Sequence, residues 1–407
     1  MKSNYKRLGE YIKEVNNRNT NLENVKLLGV SIQKVFIPSI ANTIGTDMST
    51  YKLIKKNQFA YGPVTSRNGD KISVALLNDY EEAMISQAYT SFEVIDEDAL
   101  LPEYLMMWFR RPEFDRYARF MSHGSAREIF GWEEMCNTLL PVPTITKQKK
   151  IVKEYNVLVD RIKLNKKFIQ KLEETAEAIY RQWFVDFEFP DENGKPYKSN
   201  GGEMEFNKEL DKEIPKGWEV ERLENLIESA SEKHDFKKEN LIFFNTSDIL
   251  DGEFLHNNYS PVDKMPGQAK KQIKRDDILY SEIRPENKRF ALVRVDAEDY
   301  VVSTKLMVLR RIQNKLSSFR IYNFLTQEFF ISELQQSADG RSGTFPQITF
   351  EEDIIHKLLI IGDRKIEKKW DDFLEIYYKQ LFSRKDEIRM LEQMSSIILS
   401  KVATMEA

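Results

Sequence analysis

Apolar residues spaced 4-3-4-3 run from Ile151 through Tyr155, Leu158, Ile162, Asn165, Ile169, Leu172, Ala176 and Ile179 to Trp183. The same spacing returns 219 residues later in Trp370, Leu374, Tyr377, Leu381, Arg384, Ile388, Leu391, Ser395, Ile398 and Val402. Such a series is the seam of a coiled coil, with Asn165 and Arg384 as polar entries at equivalent places. Two amphipathic helices, each packing only on its own domain, would also carry apolar seams. A strict seam of more than four heptads is longer than a globular helix needs, however. Two matching seams favour packing on each other.

The helices belong to a larger duplication. Lys55-Lys56-Asn57-Gln58-Phe59-Ala60-Tyr61 parallels Lys274-Arg275-Asp276-Asp277-Ile278-Leu279-Tyr280. Residues 83–94 parallel 300–311, and Lys6-Arg7-Leu8 parallels Glu221-Arg222-Leu223. Three matches in chain order, at similar offsets, predict an α+β fold. Its two similar mixed domains each lead into one of the two long helices, whose matching seams pack on each other. The expected boundaries are a first domain over 1–145 and a first helix over 146–185. An acidic linker over 186–212, a second domain over 213–365 and a second helix over 366–407 follow. Asp186 to Glu213 holds 9 acidic and 4 basic residues with two prolines and three glycines, which suits a polar surface connection. Strands are expected around 277–283 and 289–295, with helical stretches over 102–121 and 318–336.

Catalytic signatures are missing. The sequence has no G-x-x-x-x-G-K-[ST] phosphate loop, no G-x-G-x-x-G and no Asn/Asp-Pro-Pro-Tyr/Phe motif of an amino-methyltransferase. The histidines His123, His234, His256 and His356 are scattered, and the single Cys136 excludes a cysteine-cluster zinc site and an intrachain disulfide. Asp276, Asp277 and Glu282 could be imagined as a nuclease's metal ligands, but the first copy carries Asn57 and Gln58 at that place. No run of about 18 apolar residues exists. The polar start lacks a secretory signal, so a cytoplasmic protein without a membrane partner is expected.

The formal charge is −4, yet basic residues cluster. Residues 264–311 carry 12 Lys/Arg against 7 Asp/Glu, and residues 51–72 carry 5 against 1. A charge run is commonly a solvated face, but this one recurs in both copies beside tyrosines and small-residue loops. Lysine and arginine neutralise phosphates, while Arg, Asn, Gln and Ser bond base edges. The candidate DNA contacts are Lys55, Lys56, Tyr61, Arg67, Ser125 and Arg127 in the first copy. Those in the second are Lys271, Lys274, Tyr280, Arg284, Arg289, Arg341 and Ser342. Gly124 and Gly340 have a second reading, as left-handed caps of the preceding helices.

Four stretches together resemble the specificity subunits of type I restriction-modification systems. They are Ile214-Pro215-Lys216-Gly217-Trp218, Asp277-Ile278-Leu279-Tyr280, Ser342-Gly343-Thr344-Phe345-Pro346-Gln347-Ile348, and Leu140-Pro141-Val142-Pro143 followed by Gln148 and Ile151. The first domain lacks the Ile-Pro-x-Gly-Trp opening and begins at Tyr5-Lys6-Arg7-Leu8-Gly9. The resemblance implies a noncatalytic reader of double-stranded DNA, each target-recognition domain taking half of a split site and the two separated by a long antiparallel two-helix coiled coil, in an internal pseudo-two-fold repeat. It also implies two modification subunits docked on the helices, methylating adenine, and restriction subunits in the full complex. S-adenosylmethionine, ATP and magnesium would sit on those partners, with no cofactor in this chain. The seam from Ile151 to Trp183 would be about 48 Å long, roughly 14 base pairs of DNA. A stand-alone nuclease and a protein-only coiled-coil adaptor are the alternatives.

Overall fold

The repeat in the sequence is also a repeat of strand order. The computed structural model describes residues 5–41, 44–66, 68–123, 127–313, 315–341 and 346–404. Its α-helices are α1 (Pro102–Phe109), α2 (Pro112–Phe120), α3 (Trp132–Asn137), α4 (Ile145–Phe184), α5 (Ser318–Leu325), α6 (Glu328–Asp339) and α7 (Arg364–Val402). The chain divides into two compact units, Met1–Lys166 with Asp386–Ala407, and Lys167–Lys385.

In the first unit one four-stranded sheet has the order Ile12–Val15, Thr90–Val94, Phe59–Tyr61, Val74–Leu76. A second has the order Phe36–Pro38, Leu27–Val30, Glu82–Ile85, Lys52–Lys55, with the middle pair parallel. The second unit repeats both. Ile227–Ser229, Leu306–Arg311, Ile278–Ser281 and Phe290–Leu292 form the first sheet, and Tyr259–Pro261, Asn240–Phe244, Tyr300–Ser303 and Ala269–Gln272 the second. The middle pair of the latter is again parallel. Each unit closes with an antiparallel pair, Tyr5–Arg7 on Leu139–Pro141 and Glu219–Arg222 on Leu358–Ile361. The α+β expectation therefore holds at the level of connectivity.

Alternating side chains explain the burial. Phe59 and Phe92 face each other across neighbouring strands, stacked at 4.8 Å, with Phe109 of α1 edge-on to both. The helical stretches expected over 102–121 and 318–336 are each two helices. Pro112 opens α2 because proline lacks the amide an uninterrupted helix requires and suits a first turn. In the second copy Thr326 leaves helical geometry between α5 and α6.

Every seam position of α4 and α7 is buried or half-buried. In the first unit Ile151, Tyr155, Ile398 and Val402 share one core, while Arg161 meets Glu387 at 2.6 Å further along. Within the second unit Trp183 and Phe184 pack on Trp370 at 5.7 and 5.5 Å, and the Arg384 guanidinium lies over Phe168. In both units the helix segments run antiparallel. The same seams also join the domain cores, so the two packing modes open at the sequence level coexist.

A buried polar residue fastens the start of each long helix. Gln148 accepts from Leu101 N at 2.9 Å and donates to Ala99 O and Pro143 O at 2.9 and 2.8 Å. At the equivalent place Glu367 accepts from Gly362 N at 2.8 Å and Arg320 Nε at 3.1 Å.

The acidic linker expected over 186–212 requires correction. Phe187 and Phe189 are buried, Phe189 stacking on Trp218 at 4.7 Å and on Tyr197 at 4.6 Å. Met204–Asn207 pairs with Lys212–Pro215 as a hairpin. The net acidity of the segment concealed a Phe-Glu-Phe alternation whose aromatic face turns inward. Gly217, at φ +80°, makes the turn that delivers Trp218 to this core, a conformation glycine adopts without a Cβ penalty.

Candidate nucleic-acid interface

The repeated lysine-rich motif is first a structural turn. Asn57 and Asp276 both have left-handed φ, at +66° and +71°. In the first copy Gln58 Oε1 accepts from Lys55 N at 2.8 Å, and Gln58 Nε2 donates to Glu93 at 2.7 Å. In the second, Asp277 accepts from Lys274 N at 2.7 Å and receives Nε and Nη2 of Arg310, each at 2.8 Å. Amide-to-carboxylate in one copy is thus replaced by carboxylate-to-guanidinium in the other. With Asp277 so committed, the imagined metal ligation by Asp276, Asp277 and Glu282 does not form. No group of three or more His, Cys, Asp or Glu among the described residues is placed to hold a metal ion.

The closing tyrosines of that motif are core residues, which corrects their assignment as DNA contacts. Tyr61 is 0% and Tyr280 1% exposed. Burial pushes both phenols well above the ordinary tyrosine range. A strand alternates its faces, and the residue after two buried apolar positions here faces the helices.

Several cations expected to meet DNA already serve their own chain. Lys271 Nζ donates to Leu306 O at 2.8 Å, and burial lowers its pKa. Arg289 donates to Ser247 O and Ile249 O at 3.0 and 2.9 Å. Arg341 donates to Gln347 O at 2.8 Å and clamps Asp353 and Glu352. These three cations are committed within their own unit, and a donor satisfied inside the fold is costly to withdraw. Lys56 and Lys274 instead hold surface carboxylates, Glu81 at 2.7 Å and Glu232 at 2.9 Å. Exposed pairs of this kind are weak, so a phosphate can replace the carboxylate. Lys55, Arg127 and Arg284 are exposed. Arg67, Ser125 and Ser342 lie outside the described residues, as does Gly124. Gly340 ends α6 at φ −69°, right-handed rather than the left-handed cap considered for it.

The segments flanking the two small-residue loops are clasped alike. In the first unit Val64 bridges Ile129, Thr65 N donates to Glu128 O at 3.0 Å, and Phe130 N to Pro63 O at 2.8 Å. In the second Ile283 bridges Gln347, Arg284 N donates to Pro346 O at 3.1 Å, and Ile348 N to Glu282 O at 2.9 Å. Phe130 and Ile348 are the buried anchors. The sequence carries no local signal of the clasp because its halves lie 62 to 67 residues apart, from Arg284 with Pro346 to Pro63 with Phe130. The exposed cations Arg127 and Arg284 sit on these clasped segments.

Residues 215–381 match the family model of the type I restriction modification DNA specificity domain. Over 158 residues the chain is 40% identical to the type I restriction enzyme HindI specificity subunit of Haemophilus influenzae. That stretch is 39% of this chain and spans about a third (34%) of the relative. Over 315 residues it is 24% identical to the MjaIX specificity subunit of Methanocaldococcus jannaschii, covering 76% of this chain and 70% of that one. The crystal structure of a type I restriction-modification S subunit from M. genitalium aligns with a TM-score of 0.61 at 11% identity. The alignment covers 99% of this chain and 96% of that one, a likeness of fold.

Proposed function

We propose that this chain, whose residues 215–381 match the family model of the type I restriction modification DNA specificity domain, is the sequence-specificity subunit of a type I restriction-modification complex. Each unit's domain reads one half of a bipartite site in double-stranded DNA. The long helices serve as spacer and as dock for two modification subunits, and restriction subunits join in the full complex. The chain is noncatalytic by itself. Methyl transfer, ATP-driven translocation and cleavage, with their S-adenosylmethionine, ATP and magnesium, belong to the partners.

The observation that carries this reading is the duplication of a complete domain, strand order and loop clasp included, together with the family match over the second copy. Two similar readers with different surface side chains suit two different half-sites. Recognition draws its general affinity from lysine and arginine on phosphates and its selectivity from side chains at base edges. No helix among the described residues is long and apolar enough to cross a membrane, and action on cytoplasmic DNA fits the proposal.

Methylome sequencing of a host expressing the chain with its modification subunit tests the reading. A split motif with two specified parts is the expected result. A continuous palindrome, or methylation independent of this chain, would overturn it.

A further inference from the structure

We propose that Arg284 is the specificity-determining residue of the second domain, a reader of guanine in the major groove. The inference rests on the DNA-specificity reading and adds the chemistry of one base pair to it.

The backbone around Arg284 is unusual and firmly held. Arg284 and Lys288 both have left-handed φ, +45° and +52°, on either side of the 3₁₀ turn Pro285–Asn287. Non-glycine residues persist in that region when the surroundings over-determine them. Here Asn287 N donates to Arg284 O at 2.9 Å, and Lys288 N to Pro285 O at 2.9 Å. Glu286 N is held by Gln335 Oε1 of α6 at 3.2 Å, Arg284 N by Pro346 O at 3.1 Å, and Lys288 O by Asp251 N at 2.7 Å. Three separate parts of the unit therefore fix this turn.

The side chain is the opposite case. Arg284 is exposed and makes no ion pair or hydrogen bond through its guanidinium among the described residues. Arg289, Arg310 and Arg341 nearby are each engaged by carbonyls or carboxylates. A rigid base under an uncommitted planar fork lowers the ordering cost of binding. That fork matches guanine O6 and N7 bidentately, the commonest specific arginine contact. A phosphate contact needs charge but little placement.

The first copy places Thr65 on the same step of the clasp, and its hydroxyl is tied to Ser122 Oγ at 2.9 Å and Glu128 O at 3.2 Å. Thr65 is buried, so the first domain presents no such fork at this position and the guanine contact belongs to the second half-site alone.

The test is selection from random duplexes by the full-length chain with its modification subunits, using wild type, Arg284→Gly and Arg284→Lys. Glycine accepts the left-handed backbone, so the first variant removes the side chain and keeps the turn. Lysine keeps the charge and loses the fork. The expected result is one strongly preferred G·C pair in the second half-site of wild type. Both variants lose that preference by roughly 5- to 150-fold, with the first half-site unchanged. Two results overturn the assignment alone: a motif that survives Arg284→Gly, or a lysine variant that restores it while glycine weakens all sequences equally. A wild-type complex that selects no motif would instead sink the underlying DNA-specificity reading.

Discussion

Arg320 of α5, wholly buried, donates through Nε to Glu367 of α7 at 3.1 Å and stacks its guanidinium 4.3 Å from the Phe184 ring. The same arginine donates to Ile360 O at 3.0 Å, and Glu367 also receives Gly362 N at 2.8 Å. One buried ion pair thus ties the second domain, its closing strand and both helix segments of that unit. Removing one partner leaves an uncompensated charge, which costs about 3–5 kcal/mol. Glu367→Ala should therefore lower the urea midpoint strongly, whereas the double replacement Arg320→Met, Glu367→Leu should recover much of the loss. Equal losses in single and double variants would contradict the pairing.

Asn165, a seam residue 2% exposed, has no hydrogen-bond partner for its Nδ2 among the described residues. Replacing an unsatisfied buried amide with a hydrocarbon of similar size removes a desolvation cost of about 1–3 kcal/mol. Asn165→Leu should raise the thermal midpoint. Its native mass distribution, read by analytical ultracentrifugation, should broaden if this polar group also restrains pairing choice. A lowered midpoint would show that the amide is satisfied in solution.

Tyr280 and Lys271 are structural and should behave so. Tyr280→Ala empties a core site and should cost about 3–5 kcal/mol of stability. Tyr280→Phe loses only the bond to Leu325 O at 3.4 Å and should bind DNA as wild type does. Lys271→Met should leave the salt dependence of binding unchanged, because that nitrogen releases no counterion from DNA. A slope reduced by about one unit in fluorescence anisotropy would return Lys271 to the interface.

His234 is buried, and desolvation lowers its pKa from the usual imidazole range. Facing or adjoining charges are Asp235, which raises the value, and Lys238, which lowers it. The folded state therefore binds fewer protons than the unfolded chain just below about pH 6.5. Stability should fall as the pH drops from there toward the lowered folded value. His234→Gln should flatten that limb in unfolding curves recorded from pH 7.5 to 5. An unchanged limb would assign the acid sensitivity to other groups.

The duplicated architecture was legible because both of its signals are local. A 4-3 spacing places Ile151, Leu158 and Ile162 on one helical stripe whatever surrounds them, since the period of the helix is set by backbone geometry. Matched motifs at near-constant offsets likewise need no knowledge of contacts. The inward turn of Phe187 and Phe189 was missed because averaged charge hides a two-residue alternation.

The sequence by itself determined the two copies, the long helices and their matching seams, and the packing decided that they run antiparallel. Only the tertiary structure decided which polar groups remain available. Arg310 reaches Asp277 across 33 residues, Lys271 reaches Leu306 across 35, and Arg289 reaches Ile249 across 40. A basic run counts charges along the chain, but a hydrogen bond is made in space. Tertiary packing therefore committed Lys271, Arg289 and Arg341, cations that composition had offered to DNA, and left Arg284 exposed on a fixed turn.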